Sequence, residues 1–228
     1  MDKVKVRAFL PTVPLPLVSE GRREIRTERL ILRPFTQAVL EDMHSLRRQP
    51  EVMVFTRRGV PDKDMAETQE RINPVLPPND ATTHNWVIYK AASGEMVGCG
   101  GFFAFSSNMG WAELGYILKK EYWGKGYGTE FVEAWLKAWW ELPRSAEVEL
   151  EVPQCTVDDV PVGIDGVRSV GKDRVVAMIE AYNVPSQRVL EKCGFRKVVE
   201  FNEADKRPGK EEGMVSVVGY IATRPTSE

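Results

Sequence analysis

Long apolar runs are missing from this 228-residue chain: no stretch of about 18 consecutive apolar residues occurs, which argues against a transmembrane helix. Histidine and cysteine are scarce. His44 and His84 are the two histidines, and the three cysteines, Cys99, Cys155 and Cys193, are widely spaced with no CxxC pair. An odd, dispersed set of this kind builds neither a disulfide framework nor the common zinc patterns. No metal is expected, and reduced thiols point to the cytoplasm. An excess of charge of one sign is lacking too. The 31 Lys and Arg nearly balance 33 Asp and Glu, for a net charge of −2, without the basic surplus typical of nucleic-acid binders. What is present is an ordinary composition, 43% hydrophobic and 28% charged, in a chain long enough to bury one substantial core. Neither nucleic acid nor membrane is expected as a partner.

At the N-terminus Lys3, Lys5 and Arg7 precede an apolar stretch, the layout of a signal peptide. Pro11, Pro14 and Pro16 prevent a helix there. Residues 1–24 are therefore read as an extended arm, packed on the rest or loose, and residues 25–228 as a single domain. Residues 29–34 read as a first strand. Thr36 can cap a helix carrying Val39, Leu40, Met43 and Leu46 at helical spacing, ended by Pro50. A second helix starts near Asp62 with Met65 and Ile72 inward. Residues 86–89, 96–105 and 111–118 form an antiparallel meander.

The clearest helix runs over residues 126–141. Phe131, Val132, Trp135, Leu136 and Trp139 give it one wide apolar face. Residues 147–152 alternate as a half-exposed strand would. Residues 153–173 read as an inserted loop, and Asp158, Asp159 and Asp165 within it lack the spacing of an EF-hand. Residues 174–181 read as a buried strand. Residues 185–193 read as a short helix stopped by Gly194, followed by strands at 195–201 and 214–222 with a charged link between them.

Between the strand at 111–118 and the long helix lies Tyr122-Trp123-Gly124-Lys125-Gly126-Tyr127-Gly128-Thr129. Glycines let backbone N–H groups approach a ligand, and the helix that follows offers unpaired N–H groups and the positive end of its dipole. Such a loop is an anion site suited to phosphate or pyrophosphate, or else an ordinary glycine-rich helix entry. It fails the Walker A pattern, because Gly126 stands where Ser or Thr is required. It fails the dinucleotide pattern, because Thr129 stands where the third glycine belongs.

Glu113-Leu114-Gly115-Tyr116-Ile117-Leu118 followed by this loop resembles the central block of the GNAT acetyltransferase superfamily. Gly126 and Gly128 match its glycines, and Trp123 replaces the usual Arg or Gln. The run from Thr27 to Pro34 and the run from Asn183 to Phe195 resemble two further blocks, in the right order, of its ribosomal-protein N-terminal acetyltransferase branch. The resemblance implies an α/β (α+β) GNAT fold: a mixed, mostly antiparallel sheet splayed between its fourth and fifth strands and flanked by helices. It implies acetyl-CoA as cosubstrate, with pantetheine against the backbone of Ile117, Leu118 and Lys119. The pyrophosphate would rest on N–H groups of Trp123, Gly124, Lys125, Gly126, Tyr127, Gly128 and Thr129. The acyl carbonyl would be polarised by a strand N–H near Ile117 or Leu118, and Asn183 would bond the pantetheine arm.

The acceptor implied is a primary amine, on a small molecule or a protein N-terminus, handled by a monomer or homodimer. A non-catalytic CoA-binding module is the other reading, because Leu190 stands where many relatives carry a tyrosine that protonates the departing thiolate. Glu113, the lone acid in its strand, is the candidate base. Ser186 is the candidate donor to the thiolate, or else a helix cap or cofactor ligand. Tyr116 and Tyr182 are further donors. The acceptor side is expected from loops around residues 55–80, 105–110 and 153–173.

Overall fold

In the computed structural model, which describes residues 1–11, 15, 21–102, 109–170, 173–210 and 212–225, the apolar segments form two sheets. In chain order the elements are β1 (Lys3–Pro11), β2 (Ile25–Arg26), β3 (Leu30–Arg33), α1 (Leu40–Arg47), α2 (Pro50–Met53), α3 (Met65–Ile72), β4 (His84–Lys90), β5 (Met96–Phe102) and β6 (Ala112–Leu118). Then come α4 (Tyr127–Glu141), β7 (Arg144–Pro153), β8 (Arg168–Val170), β9 (Arg174–Glu180), α5 (Val184–Lys192), β10 (Arg196–Ala204) and β11 (Met214–Thr223). The larger sheet has the order β10-β11-β9-β6-β5-β4-β3-β2. Its neighbours pair antiparallel except β6 and β9, which are parallel. Those two pair at Ala112 with Val175 and at Glu113 with Val176, and then separate. The V that results is the architectural fact on which the site depends.

The apolar face read on the long helix is the face that α4 buries. Phe131, Trp135 and Trp139 pack on Leu32, Trp86, Phe102 and Leu114 of the sheet, and the Trp135 indole donates to the His84 carbonyl at 3.0 Å. Helices α1 to α3 cover part of the opposite face, with Met43, Leu46 and Ile72 against Val87 and Met96. Thr36 makes no side-chain cap, and Pro50 opens α2 in its first turn rather than simply ending α1.

The N-terminal residues are extended and packed on the domain. β1 is the central strand of a second sheet, β7-β1-β8, running antiparallel to β7 and parallel to β8. Val6, Ala8 and Leu10 pack against Val176 and Ile221 of the larger sheet and against Trp111, which precedes β6. The strand expected at residues 147–152 and the loop expected at 153–173 therefore belong to one added layer. The alternation explains why β7 stays out of the main sheet: Glu147, Glu149 and Glu151 face out while Val148, Leu150 and Val152 face in, so it has one apolar face to bury. β9 is buried at each of Arg174, Val175, Val176 and Ala177, as a strand covered on both faces requires, and it takes the place beside β6.

Candidate active site

The loop from β6 to α4 is shaped by its glycines. Gly124 and Gly126 have φ of +70° and +82°, a region that a Cβ disfavours by roughly 1–2 kcal/mol. Gly126 is the N-cap of α4, and the first intrahelical bond runs from the Glu130 N–H to the Gly126 carbonyl at 3.1 Å. The N–H groups of Tyr127, Gly128 and Thr129 therefore have no partner within the helix. Arg188 and Lys192, one turn apart on α5, lie on the wall of the same cavity. Unpaired amides, a helix N-terminus and two cations suit the phosphates of a CoA thioester.

The residues before β3 hold this loop from behind. Glu130 accepts from the Thr27 hydroxyl at 2.5 Å, the Arg29 N–H at 2.8 Å and Arg29 Nε at 2.7 Å. Arg29 Nη1 also donates to the Lys125 carbonyl at 2.9 Å. Burial pushes the Glu130 carboxyl up, but Thr27 and Arg29 outweigh it and hold the pKa below the ordinary value. Such a group stabilises the fold above its unfolded pKa, and that stability is lost as pH falls through the lowered folded value. Glu130→Gln is expected to raise the KM for acetyl-CoA several-fold with little change in kcat. It should also lower the thermal midpoint at pH 7 more than at pH 3; equal losses at both pH values would contradict the ion-pair account.

Where β6 and β9 part, β6 keeps its partner on one side alone. The Lys119 N–H donates to the Val97 carbonyl at 2.8 Å, which fixes the phase of the β5–β6 ladder. Antiparallel alternation then commits the backbone of Ile117 to Cys99 and turns the N–H groups of Tyr116 and Leu118 into the V. Of the two positions expected to polarise an acyl carbonyl, Leu118 is the one with its N–H on the cleft side. Its carbonyl already accepts from the Trp123 indole at 2.8 Å.

Two cavities meet in the V. One, of about 340 Å³, follows the glycine loop and α5. The other, of about 360 Å³, extends from Glu113 between β9 and the β10–β11 link. Phe55, Tyr116, Ile117, Asn183 and Ser186 stand on the walls of both.

Strand alternation sends Glu113 and Tyr116 to opposite faces of β6. Glu113 is half-buried in the second cavity, and Arg57, 90% exposed, approaches it at 3.4 Å. Burial raises the Glu113 pKa, and Arg57 pulls the other way. On the opposite face the Tyr116 hydroxyl lies 3.0 Å from the Ser186 hydroxyl. Burial pushes the Tyr116 pKa up to about 12. Leu190 is 1% exposed and lines the second cavity from α5.

Several expected residues fall elsewhere or act differently. Ser186 is not the cap of α5: Asn183 is, accepting from the Ser186 N–H at 3.3 Å, which leaves the serine hydroxyl for Tyr116. Lys119 and Lys125 do not line the cavity along the glycine loop. Lys119 is buried with its ammonium 3.5 Å from Asp42, and the Lys125 carbonyl is taken by Arg29. The Trp123 N–H closes a turn on Lys120, so the tryptophan contributes its ring rather than its amide. The added layer at 153–173 supplies no described wall of the second cavity; residues 203–207 do. Residues 105–108 of the loop expected at 105–110 lie outside the described residues. The wall from 203–207 was missed because only the return of β10 and β11 to the sheet edge brings that link over the cleft. Arg188 and Lys192 were legible as an i,i+4 basic pair opposite Leu190.

The acetyltransferase (GNAT) domain family matches residues 29–196. The chain belongs to the GNAT acetyltransferase family. This GNAT enzyme is 23% identical over 188 residues to an uncharacterized N-acetyltransferase p20 from Bacillus licheniformis, covering 81% of this chain and 88% of that one. Its fold is similar to spermidine N-acetyltransferase from Vibrio cholerae, solved with CoA and spermine, at a TM-score of 0.61 and 16% identity over 87% of this chain and 97% of that one. It is also similar to the ribosomal alpha-N-protein acetyltransferase RimL in complex with coenzyme A, at a TM-score of 0.62 and 16% identity over 88% and 98% of the two chains. Membership makes the protein an N-acetyltransferase that draws on an acyl-CoA donor. Among the described residues no helix is long and apolar enough to cross a membrane, and no His, Cys, Asp and Glu cluster could hold a metal ion.

Proposed function

We propose that this enzyme moves the acetyl group of acetyl-CoA to a primary amine by direct attack in a ternary complex. The observation that carries the reading is the pair of cavities that meet at Phe55, Tyr116 and Ser186, one behind the anion loop and one reaching Glu113. Acetyl-CoA fits the first through the amides of Tyr127–Thr129 and the cations of α5. The acceptor fits the second, where Glu113 takes a proton from the ammonium, directly or through a water. The amine nitrogen then bonds to the thioester carbonyl carbon, with the Leu118 N–H facing the oxygen. The C–S bond breaks, and the thiolate takes a proton from the Ser186 hydroxyl, which the Tyr116 hydroxyl resupplies; the second proton that the nitrogen loses as the amide forms returns to Tyr116 through water. Holding both reactants in one V supplies much of the acceleration.

Among the structural neighbours, one name refers to spermidine and another to a ribosomal protein's N-terminus; both are amines, and the acceptor here is read as an amine of either kind. Thiol release from acetyl-CoA over a panel of small amines and short peptides tests the proposal. Turnover with at least one of them is expected, and none with any, despite CoA binding, would favour the non-catalytic module. Tyr116→Phe is expected to lower kcat about tenfold with KM for acetyl-CoA within twofold. An equal rise in KM would instead make Tyr116 a packing residue beside Gly128.

A further inference from the structure

Arg207 belongs to the loop between β10 and β11, yet it is 6% exposed. Its guanidinium ties together three segments distant in sequence. Nε donates to Asp205 at 2.7 Å. Nη1 donates to the Tyr182 hydroxyl at 2.6 Å and to the Val54 carbonyl at 3.3 Å, and lies 2.9 Å from a Glu180 carboxylate oxygen. The Tyr182 hydroxyl in turn donates to the same Val54 carbonyl at 3.3 Å. Gly59, at φ +73°, makes room for the arginine stem: a Cβ there would sit 2.6 Å from Arg207 Cδ.

The residue after Val54 is Phe55, which stands on the wall of both cavities. Its ring packs on Tyr182, with centroids 5.7 Å apart, and edge-on to Trp123 at 6.1 Å. Trp123 follows β6, one arm of the V. Tyr182 follows β9, the other arm. Phe55 thus spans the two arms where donor and acceptor cavities join. A guanidinium buried among carboxylates is a weak source of net stability, because desolvation offsets most of the attraction. Its planar fork does fix the relative positions of whatever it binds.

We propose that Arg207 is a positioning residue that holds Phe55 as a roof over the junction of the two cavities, so that the thioester there meets the amine rather than water. The proposal rests on the two-cavity reading above. Water in place of the amine would add its oxygen to the carbonyl carbon. The C–S bond would break, one water proton would end on the thiolate, and acetic acid and free thiol would result. An aromatic roof excludes that competitor.

The test measures thiol release from acetyl-CoA by the full chain, with and without amine, beside the thermal midpoint. Phe55→Ala is expected to raise amine-independent release about tenfold relative to amine-dependent release. Arg207→Met keeps the stem against Gly59 and loses the fork; it should shift the ratio the same way. The double variant should go no further than Phe55→Ala alone, because Arg207 acts through Phe55. Tyr182→Phe, which keeps the ring and removes the bridging hydroxyl, serves if Arg207→Met fails to fold. An unchanged ratio in Phe55→Ala would overturn the roof, whatever the amine assay shows. Full additivity of the two substitutions would overturn the role of Arg207. A failure of the amine reading looks different: no amine supports turnover, while amine-independent release still responds to Phe55→Ala.

Discussion

Glu113→Gln is expected to lower kcat with an amine acceptor by roughly 10²–10⁴-fold, the usual range for loss of a general base, with the thermal midpoint unchanged or slightly raised. The two halves of that expectation have one cause. Burial raises the Glu113 pKa, so the folded protein holds its ionised form less readily than the unfolded chain does. A carboxylate of this kind opposes folding above its unfolded pKa, and the isosteric amide removes the penalty. The same raised pKa suits a base working near neutrality, because a carboxylate of higher pKa binds the ammonium proton more strongly. Activity should therefore rise with pH through an ionisation above the ordinary carboxylate range. Arg57 lowers the Glu113 pKa, so Arg57→Ala should move that limb to higher pH. Measured kcat/KM profiles of the three proteins check this, and an unshifted limb in Arg57→Ala, or full activity in Glu113→Gln, would remove Glu113 from the role.

Gly126→Ala is expected to weaken acetyl-CoA binding by about tenfold or more, read by calorimetry. A Cβ at φ +82° carries left-handed strain, of roughly 1–2 kcal/mol, and it would stand 3.2 Å from Arg29 Nη2, tighter than an ordinary contact. Relief of either requires the loop to move, and the amides of Tyr127, Gly128 and Thr129 move with it. Gly128 offers an internal control. It has no positive φ, and a Cβ there meets Tyr116 and Val189 at 3.5 Å, an ordinary contact distance. Gly128→Ala should fold as the parent does. If Gly126→Ala bound acetyl-CoA as tightly as the parent, the loop would not be the pyrophosphate site.

By itself the sequence determined the elements whose cause is local. Apolar spacing over Phe131–Trp139 required a helix with one buried face, and Gly124, Gly126 and Gly128 marked a tight, glycine-rich entry to it. The largely apolar run over residues 111–118 pointed to a strand, and strand geometry sends Glu113 and Tyr116 to opposite sides. The order of these blocks pointed to the family. Only the tertiary structure decided what depends on partners far apart in the chain. Whether residues 147–152 joined the main sheet turned on competition with β9, which has two faces to bury where β7 has one. The N-terminal strand became the middle of a second sheet because β7 offered it an open edge and Trp111 an apolar floor. Ser186 was freed for Tyr116 because Asn183, not the serine, caps α5. Arg207 reached Val54 because β10 and β11 return to the edge of the sheet beside β9. Local pattern fixes how a segment folds, whereas pairing and burial between distant segments fix where its side chains meet, and the chemistry of this enzyme lies in those meetings.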